Sequence, residues 1–365
     1  MRVVLFILIA VVVLGMFNAL AIWTLLRVHP RRKGAIITAA IIGNLMWLFF
    51  PLLMTLTPLG RLTRAVFGPP WFAWTCFAIL YSVIIGAFSL GGARFARWPS
   101  RVFLSLTIIG SLAGFYEAIV PLRVERVPIY LNNLPAAAEG TRIALLADLH
   151  VGLFTRPSRL RQFFETTRAL RPDIVILAGD LVDDDPYFTP KLLAATRFLD
   201  PRTPLLAVLG NHEMYGDPDR AIAALRGSRI QLLVNDGASI GPLWIAGLSD
   251  YAAQTPRLRP NLTEALARRG TNFPVLIAHQ PRAFDEARRM SLPLTLVAHT
   301  HGGQLGIRPL GWSLAGVFLP YHMGWYRRGA AQLYVNTGTG FWLVPFRLGM
   351  TGEITVIELR ASSRR

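Results

Sequence analysis

The chain has 365 residues, is 53% hydrophobic and 16% charged, and carries a formal net charge of +17 with a mean hydropathy of +0.42. That apolarity excludes an ordinary soluble enzyme and points to membrane spans. The basic balance argues little for nucleic acid: ten Lys+Arg and a single carboxylate, Glu117, precede position 123, whereas 28 and 20 follow it. Half the positive excess therefore flanks apolar segments, where arginine orients a span or meets lipid headgroups.

In chain order, four apolar stretches come first, at 3–26, 35–60, 69–93 and 102–122. Each reaches the ~20 residues that cross a bilayer as a helix. "ALA" at 19–21 resembles a signal-peptidase site, but the run continues through it to Arg27, so a span is expected. Trp23, Trp47, Trp71, Trp74 and Trp98 lie mostly toward the ends of these runs, as interfacial aromatics do. The loops after the first and third runs hold Arg27, Arg31, Arg32, Lys33, Arg94, Arg97 and Arg101, against Arg2, Arg61, Arg64, Arg123 and Arg126 on the other face. Seven against five places the long C-terminal part outside the cytoplasm. Within the runs the polar residues of note are Asn18, Asn44 and Glu117, fewer than a transporter needs, so 1–122 is expected to be a plain membrane anchor. The lone Cys76 allows neither an intrachain disulfide nor a thiolate metal cage.

From 123 the texture changes to short apolar runs punctuated by Gly, Pro and polar clusters. Strands are expected at 142–147, 173–179, 204–209, 243–248, 273–278, 293–298, 332–337 and 353–359, and helices near 157–170, 189–199, 218–227, 261–269 and 282–289. Residues 123–365 suffice for one sizeable α/β domain.

The residues that follow these runs carry the chemistry. "LLADLHVG" ends on Asp148 and His150, "ILAGDLVDDD" on Asp180, "AVLGNHEMYGD" on Asn211 and His212, "LIAHQP" on His279, and "LVAHTHGGQ" on His299 and His301. Five of the seven histidines thus sit where loops meet at a sheet edge; only His29 and His322 do not. The donors are nitrogen and oxygen alone, which suits Mn, Fe or Zn. They are too many for one ion, so two divalent ions sharing a carboxylate are expected, an arrangement that serves phosphoester hydrolysis.

The order D-x-H, G-D, G-N-H-E, a lone H and H-x-H resembles the calcineurin-like metallophosphoesterase superfamily. "RIALLADLHVG", "AHTHGGQ" and "NTGTGFWLVPFRLG" look like its membrane-associated bacterial phosphodiesterase branch with N-terminal spans. Ala298 stands where that family usually has glycine before H-x-H. The resemblance implies an αββα domain over 123–365, a two-sheet sandwich flanked by helices, behind the four-helix transmembrane region. It also implies that Asp148, His150, Asp180 and His301 bind one ion and that Asp180, Asn211, His279 and His299 bind the other, with Asp180 bridging. His212 resembles the family's catalytic histidine, which donates a proton to the leaving oxygen or stabilises charge on phosphorus. The expected function is a membrane-anchored phosphodiesterase acting through a metal-bridging hydroxide on a lipid-linked or envelope phosphoester, with the bilayer as partner and no nucleic acid. The alternatives are a membrane sensor or transporter-like protein with a regulatory phosphoesterase domain, or a nuclease or phosphatase of the same superfamily.

Other residues have bland expectations. Asp183, Asp184 and Asp185 read as a solvated loop, Asp173 as a strand flank, and Asn235 with Asp236 as a turn. Glu213 could orient His212 or stand exposed. Arg347, and less directly His322, are candidates to meet the substrate phosphate. Gly302, Gly303 and Gln304 allow close backbone approach.

Overall fold

A computed structural model describes residues 2–54, 59–183 and 185–362. The chain divides into two compact units, Met1–Ala113 and Gly114–Arg365.

The first unit is helical: α1 (Arg2–Val28), α2 (Lys33–Met54), α3 (Leu59–Leu90) and most of α4 (Ala93–Ile119). α3 packs on both α1 and α2. The two asparagines inside the apolar runs satisfy each other: the Asn18 amide donates to Asn44 Oδ1, Asn18 Oδ1 accepts from Trp74 Nε1–H at 3.0 Å, and Asn44 donates to the Ala40 carbonyl at 2.7 Å. Among the described residues one helix, Ala93–Ile119, is long and apolar enough to cross a membrane. Val13–Val28 and Pro30–Leu45 pass only as a pair bent by 110°, and Trp74–Leu90 is a shorter apolar helix. The expected span at 35–60 runs through residues 55–58, which lie outside the described ones.

The second unit is a mixed α/β fold of two sheets. Its strands are β1 (Arg123–Leu131), β2 (Arg142–Leu146), β3 (Ile174–Ala178), β4 (Leu205–Val208), β5 (Gln231–Leu232), β6 (Asp236–Ile240), β7 (Leu243–Gly247), β8 (Phe273–Ile277), β9 (Leu294–Val297), β10 (Gly306–Ile307), β11 (Trp312–Ser313), β12 (Gly324–Arg328), β13 (Ala331–Val335) and β14 (Glu353–Ala361). One sheet runs β1-β14-β2-β3-β4-β5, the other β12-β13-β9-β8-β7-β6, and β10 with β11 forms a separate ribbon. The helices of this unit are α5 (Pro157–Ala169), α6 (Thr189–Ala195), α7 (Asn211–Tyr215), α8 (Pro218–Arg226), α9 (Leu262–Leu266) and α10 (Ala283–Arg289).

Alternation along each strand explains the layering. Ile143, Leu145, Ile174, Ile176, Leu206 and Val208 face Ile245, Val275, Ile277, Leu294 and Leu296 in the core between the sheets. The intervening Ala144, Leu146, Val175 and Leu177 pack instead on Phe163 and Phe164 of α5, Leu192 of α6 and Ile222 of α8. On the far side Trp244, Ala246 and Leu276 meet Leu262 of α9 and Phe284 of α10. Central strands covered on both faces read as unbroken apolar runs, which is why all eight runs expected from sequence are strands here. The parallel neighbours β2, β3 and β4, and likewise β7, β8 and β9, end at the same edge of their sheets. Their carboxyl ends deliver the next residues of the chain to one place.

Candidate metal centre

Asp148 and His150 follow β2, Asp180 follows β3, Asn211 and His212 follow β4, His279 follows β8, and His299 and His301 follow β9. The fold brings all eight together. Asp148, His150, Asp180 and His301 each turn one donor atom into a cluster whose donors lie within 4.8 Å of one another, and Asp180, His279 and His299 do the same. Asp180 belongs to both groups. Asn211 Oδ1 lies 3.0 Å from His279 Nε2, which places it with the second group.

These loops turn sharply. Asp148, His150, Asp180, His299 and His301 all have positive φ, between 42° and 74°. Such backbone costs of order 1–3 kcal/mol per non-glycine residue and persists where the surroundings over-determine it. The neighbouring glycines explain part of that. A Cβ on Gly210 would overlap Asp180's carboxylate and N–H, and one on Gly179 would sit 2.6 Å from His279 Nδ1.

Several outer contacts aim the rings. His279 Nδ1 lies 2.9 Å from the Ala178 carbonyl, to which it donates, leaving Nε2 to face Asp180 Oδ2 at 3.1 Å. His150 Nδ1 pairs with Asp183 Oδ1 at 3.0 Å, so its Nε2 points inward, 3.1 Å from His301 Nε2. His299 Nδ1 lies 3.2 Å from His279 Nε2. The donors fit divalent cations on one further observation: both oxygens of Asp148 are buried with no hydrogen-bond partner among the described residues, while imidazole nitrogens converge beside them. A buried carboxylate without compensation costs several kcal/mol, and a cation held by these donors supplies it.

Charge coupling is strong. Burial pushes Asp148 up to about 6, with Asp180's like charge adding to it. For Asp180 burial opposes ionisation, yet His279, His150 and His212 hold it well below the usual carboxylate range. Burial alone would lower His279, but Asp180, Asp148 and Asp250 hold it well above an ordinary imidazole. Burial and like-charged neighbours depress His299 to about 3 and His301 well below its ordinary value. Asp148 below about pH 6 and His279 at neutrality therefore hold protons that an entering cation must displace. Apparent Mn affinity is expected to weaken about tenfold per pH unit as pH falls toward 6, and more steeply below it. Competition titration at pH 5.5, 6.5 and 7.5 reads this directly, and an affinity flat across that range contradicts it.

Three expectations change. Arg347, a candidate to meet substrate phosphate, is fully buried. Its five N–H groups go to the carbonyls of Gly340, Thr337, Met350 and Gly338 and toward His301 Nδ1 at 3.2 Å, so none remains for a phosphate. It stands behind a candidate ligand, and burial lowers its pKa to about 10. Asp183 is no merely solvated loop residue, because it orients His150; Asp184 lies outside the described residues. Glu213 does not orient His212 and is not exposed. Its buried carboxylate accepts the backbone N–H groups of Asp180, Leu181, Val182 and Gly210, tying the two loops after β3 and β4 into one unit. His322 bonds Ser313 Oγ at 2.9 Å, at the base of the β10–β11 ribbon.

Asp183→Asn is expected to weaken metal affinity about 10- to 100-fold while leaving the fold intact, the usual cost of losing a partner behind a ligating histidine; unchanged binding in calorimetry would remove that role. Sequence reasoning missed Asp250. It follows β7, is fully buried, and accepts from Gln280 Nε2 at 2.9 Å and Ala252 N–H at 2.7 Å. Its position after a strand was the available signal.

His212 stands beside the cluster rather than in it. Its backbone N–H donates to Asp180 Oδ1 at 2.9 Å, and its ring meets His150 edge-on at 4.7 Å between centroids. It is partly exposed, with Tyr215 and Trp342 at its outer side.

The sequence profile for calcineurin-like phosphoesterases matches residues 141–303. An uncharacterized metallophosphoesterase of Helicobacter pylori is 30% identical over 295 residues, covering 77% of this chain and 78% of that one. A transmembrane protein with metallophosphoesterase domain from Danio rerio is 32% identical over 275 residues, covering 70% of this chain and 62% of its own length. A protein of the same description from Bos taurus is 30% identical, covering 74% and 64%.

Proposed function

We propose, starting from the fact that this chain belongs to the calcineurin-like phosphoesterase family, that it is a membrane-anchored phosphodiesterase acting on a lipid-linked or envelope phosphoester. The family is one of dinuclear-metal-dependent phosphoester hydrolases, and that is the activity class of this chain. The observation that carries the reading is the buried Asp148 carboxylate, without a hydrogen-bond partner among the described residues, beside converging imidazoles that share Asp180 with a second group.

Asp148, His150, Asp180 and His301 would hold one divalent ion, and Asp180, Asn211, His279 and His299 the other. Two such ions supply Lewis acidity to the phosphoryl group and lower the pKa of a water. The chain's own residues do the rest. Ala178 and Asp183 fix the ring orientations of His279 and His150, and Glu213 keeps the Asp180 and Asn211 loops in register. His212, partly exposed beside the cluster, gives a proton to the departing oxygen.

Residues 1–122 would anchor the enzyme through four spans, with 123–365 as the catalytic domain outside the cytoplasm. Supporting this are the apolar α4, the internal satisfaction of Asn18 and Asn44, and the arginine asymmetry of the loops. The test uses the full chain in detergent, stripped by chelator and given Mn, Zn or Fe, on bis-p-nitrophenyl phosphate and p-nitrophenyl phosphate. Metal-restored turnover that favours the diester supports the reading. Failure to bind any of these ions overturns it.

A further inference from the structure

Beyond His301 the chain leaves the sheet for a long excursion before it returns as β12. That excursion spends large apolar side chains on solvent: Ile307, Leu310, Trp312, Val317 and Phe318 are all exposed, Leu310 at 75% and Phe318 at 77%. These five large apolar side chains, exposed within residues 307–318, are a concentration that marks an interaction site rather than singly scattered exposure. A second strip, Trp342 and Leu343, is exposed on the loop before Arg347. The two are tied together, since Gln304 Oε1 accepts the Trp342 N–H at 2.8 Å and Gln304 Nε2 donates to the Trp342 carbonyl at 3.2 Å. Leu305 also bridges to Leu348. The Trp342 ring lies 6.3 Å from that of His212, so the apolar rim borders the catalytic histidine.

A further observation says what covers this rim. The last turn of α4, residues 114–119 of this same unit, is fixed to the loop that carries Trp342 and Leu343. Gly114 O accepts the Arg347 N–H at 2.9 Å, the Glu117 carboxylate accepts the Gly349 N–H at 2.7 Å, and Phe115 meets Phe346 edge-on. A Cβ on Gly114 would overlap the Phe346 ring, so the approach needs glycine. The one described helix apolar enough to cross a membrane therefore ends on the loop that carries Trp342 and Leu343.

We infer that the excursion 305–319, with Trp342 and Leu343, is a membrane-docking surface that dips into the headgroup–acyl boundary of a bilayer around the mouth of the metal centre. A phosphoester in the headgroup plane then reaches the site without leaving the membrane. The inference rests on the phosphodiesterase reading for its purpose, but the contact itself is measured separately.

The chain's single cysteine makes the test direct. In full-length protein carrying Cys76→Ser, a bimane label is placed at Phe318→Cys, at Leu310→Cys, or at Met290→Cys. Met290 is exposed and precedes β9, at the end of that strand away from the metal ligands. Each is reconstituted in nanodiscs of phosphatidylethanolamine and phosphatidylglycerol with nitroxide-bearing lipid. Labels at 318 and 310 are expected to be quenched severalfold more than the label at 290. Equal quenching at all three overturns the docking surface, whether the rim is bare or covered by a second copy or another protein. Turnover of soluble bis-p-nitrophenyl phosphate by the same samples keeps the readings apart. Equal quenching with turnover retained overturns docking alone, and selective quenching without metal-dependent turnover supports docking while removing the phosphodiesterase.

Discussion

Asp180→Ala is expected to lower kcat/KM for bis-p-nitrophenyl phosphate by about 10³-fold or more, a loss of ~4 kcal/mol or more in transition-state stabilisation. The size follows from position. Asp180 alone belongs to both donor groups, with Oδ2 3.1 Å from His279 Nε2 and 3.6 Å from His150 Nε2. Its Oδ1 also accepts the His212 N–H. Removing it takes a donor from each ion site and loosens the turn that carries His212, the proposed proton donor. Bound metal, counted by elemental analysis after gel filtration, should fall from two ions per chain to one or none. A variant that kept two ions and near-normal turnover would show that the groups are bridged by something else. Asp183→Asn, one shell out, should cost far less, and the contrast between the two separates holding an ion from aiming a ring.

The strands that carry this site were legible because they are buried on both faces and so appear as short unbroken apolar runs. The edges were not. β1 mixes Arg123, Glu125, Arg126 and Pro128 with its apolar residues, and as an edge strand it is only partly covered, so no run stands out. β10 and β11 have two residues each, and β12 carries two arginines in five residues. At the site, the ligand candidates were legible from their place after strand-like runs, but their conformations were not. Nothing in the residue types of Asp148 or His150 announces a positive φ, which tertiary contacts impose. The supporting carboxylates escaped for a related reason. Asp183 and Glu213 look like loop charges in sequence, and only the fold shows one on His150 and the other beneath four backbone amides. Arg347 misled in the opposite direction. In sequence an arginine in the late "VPFRLG" stretch is a candidate phosphate ligand, whereas the carbonyls of Gly340, Thr337, Met350 and Gly338 consume its donors.

His212→Ala is expected to separate two substrates that Asp180→Ala treats alike. His212 has no place among the converging donors, is partly exposed, and is held by its own backbone N–H to Asp180. Its ring stands over His150 with its outer side toward Tyr215 and Trp342, where a departing alcohol would leave toward solvent. If its task is to protonate that oxygen, the loss depends on how badly the leaving group needs a proton. Nitrophenolate departs as the anion, so turnover of bis-p-nitrophenyl phosphate should fall by only about tenfold. An alkyl diester such as glycerophosphoethanolamine needs the acid and should lose about 10²- to 10⁴-fold, the range that general acid catalysis supplies. Equal losses on both substrates would instead assign His212 to stabilising charge on the phosphoryl oxygens, a contribution insensitive to the leaving group. Metal content should stay at two ions in either case, because among the described residues His212 belongs to neither donor group. A fall in bound metal would make His212 part of the ion site, and the distinction between the residues that hold the ions and the one that moves the proton would go with it.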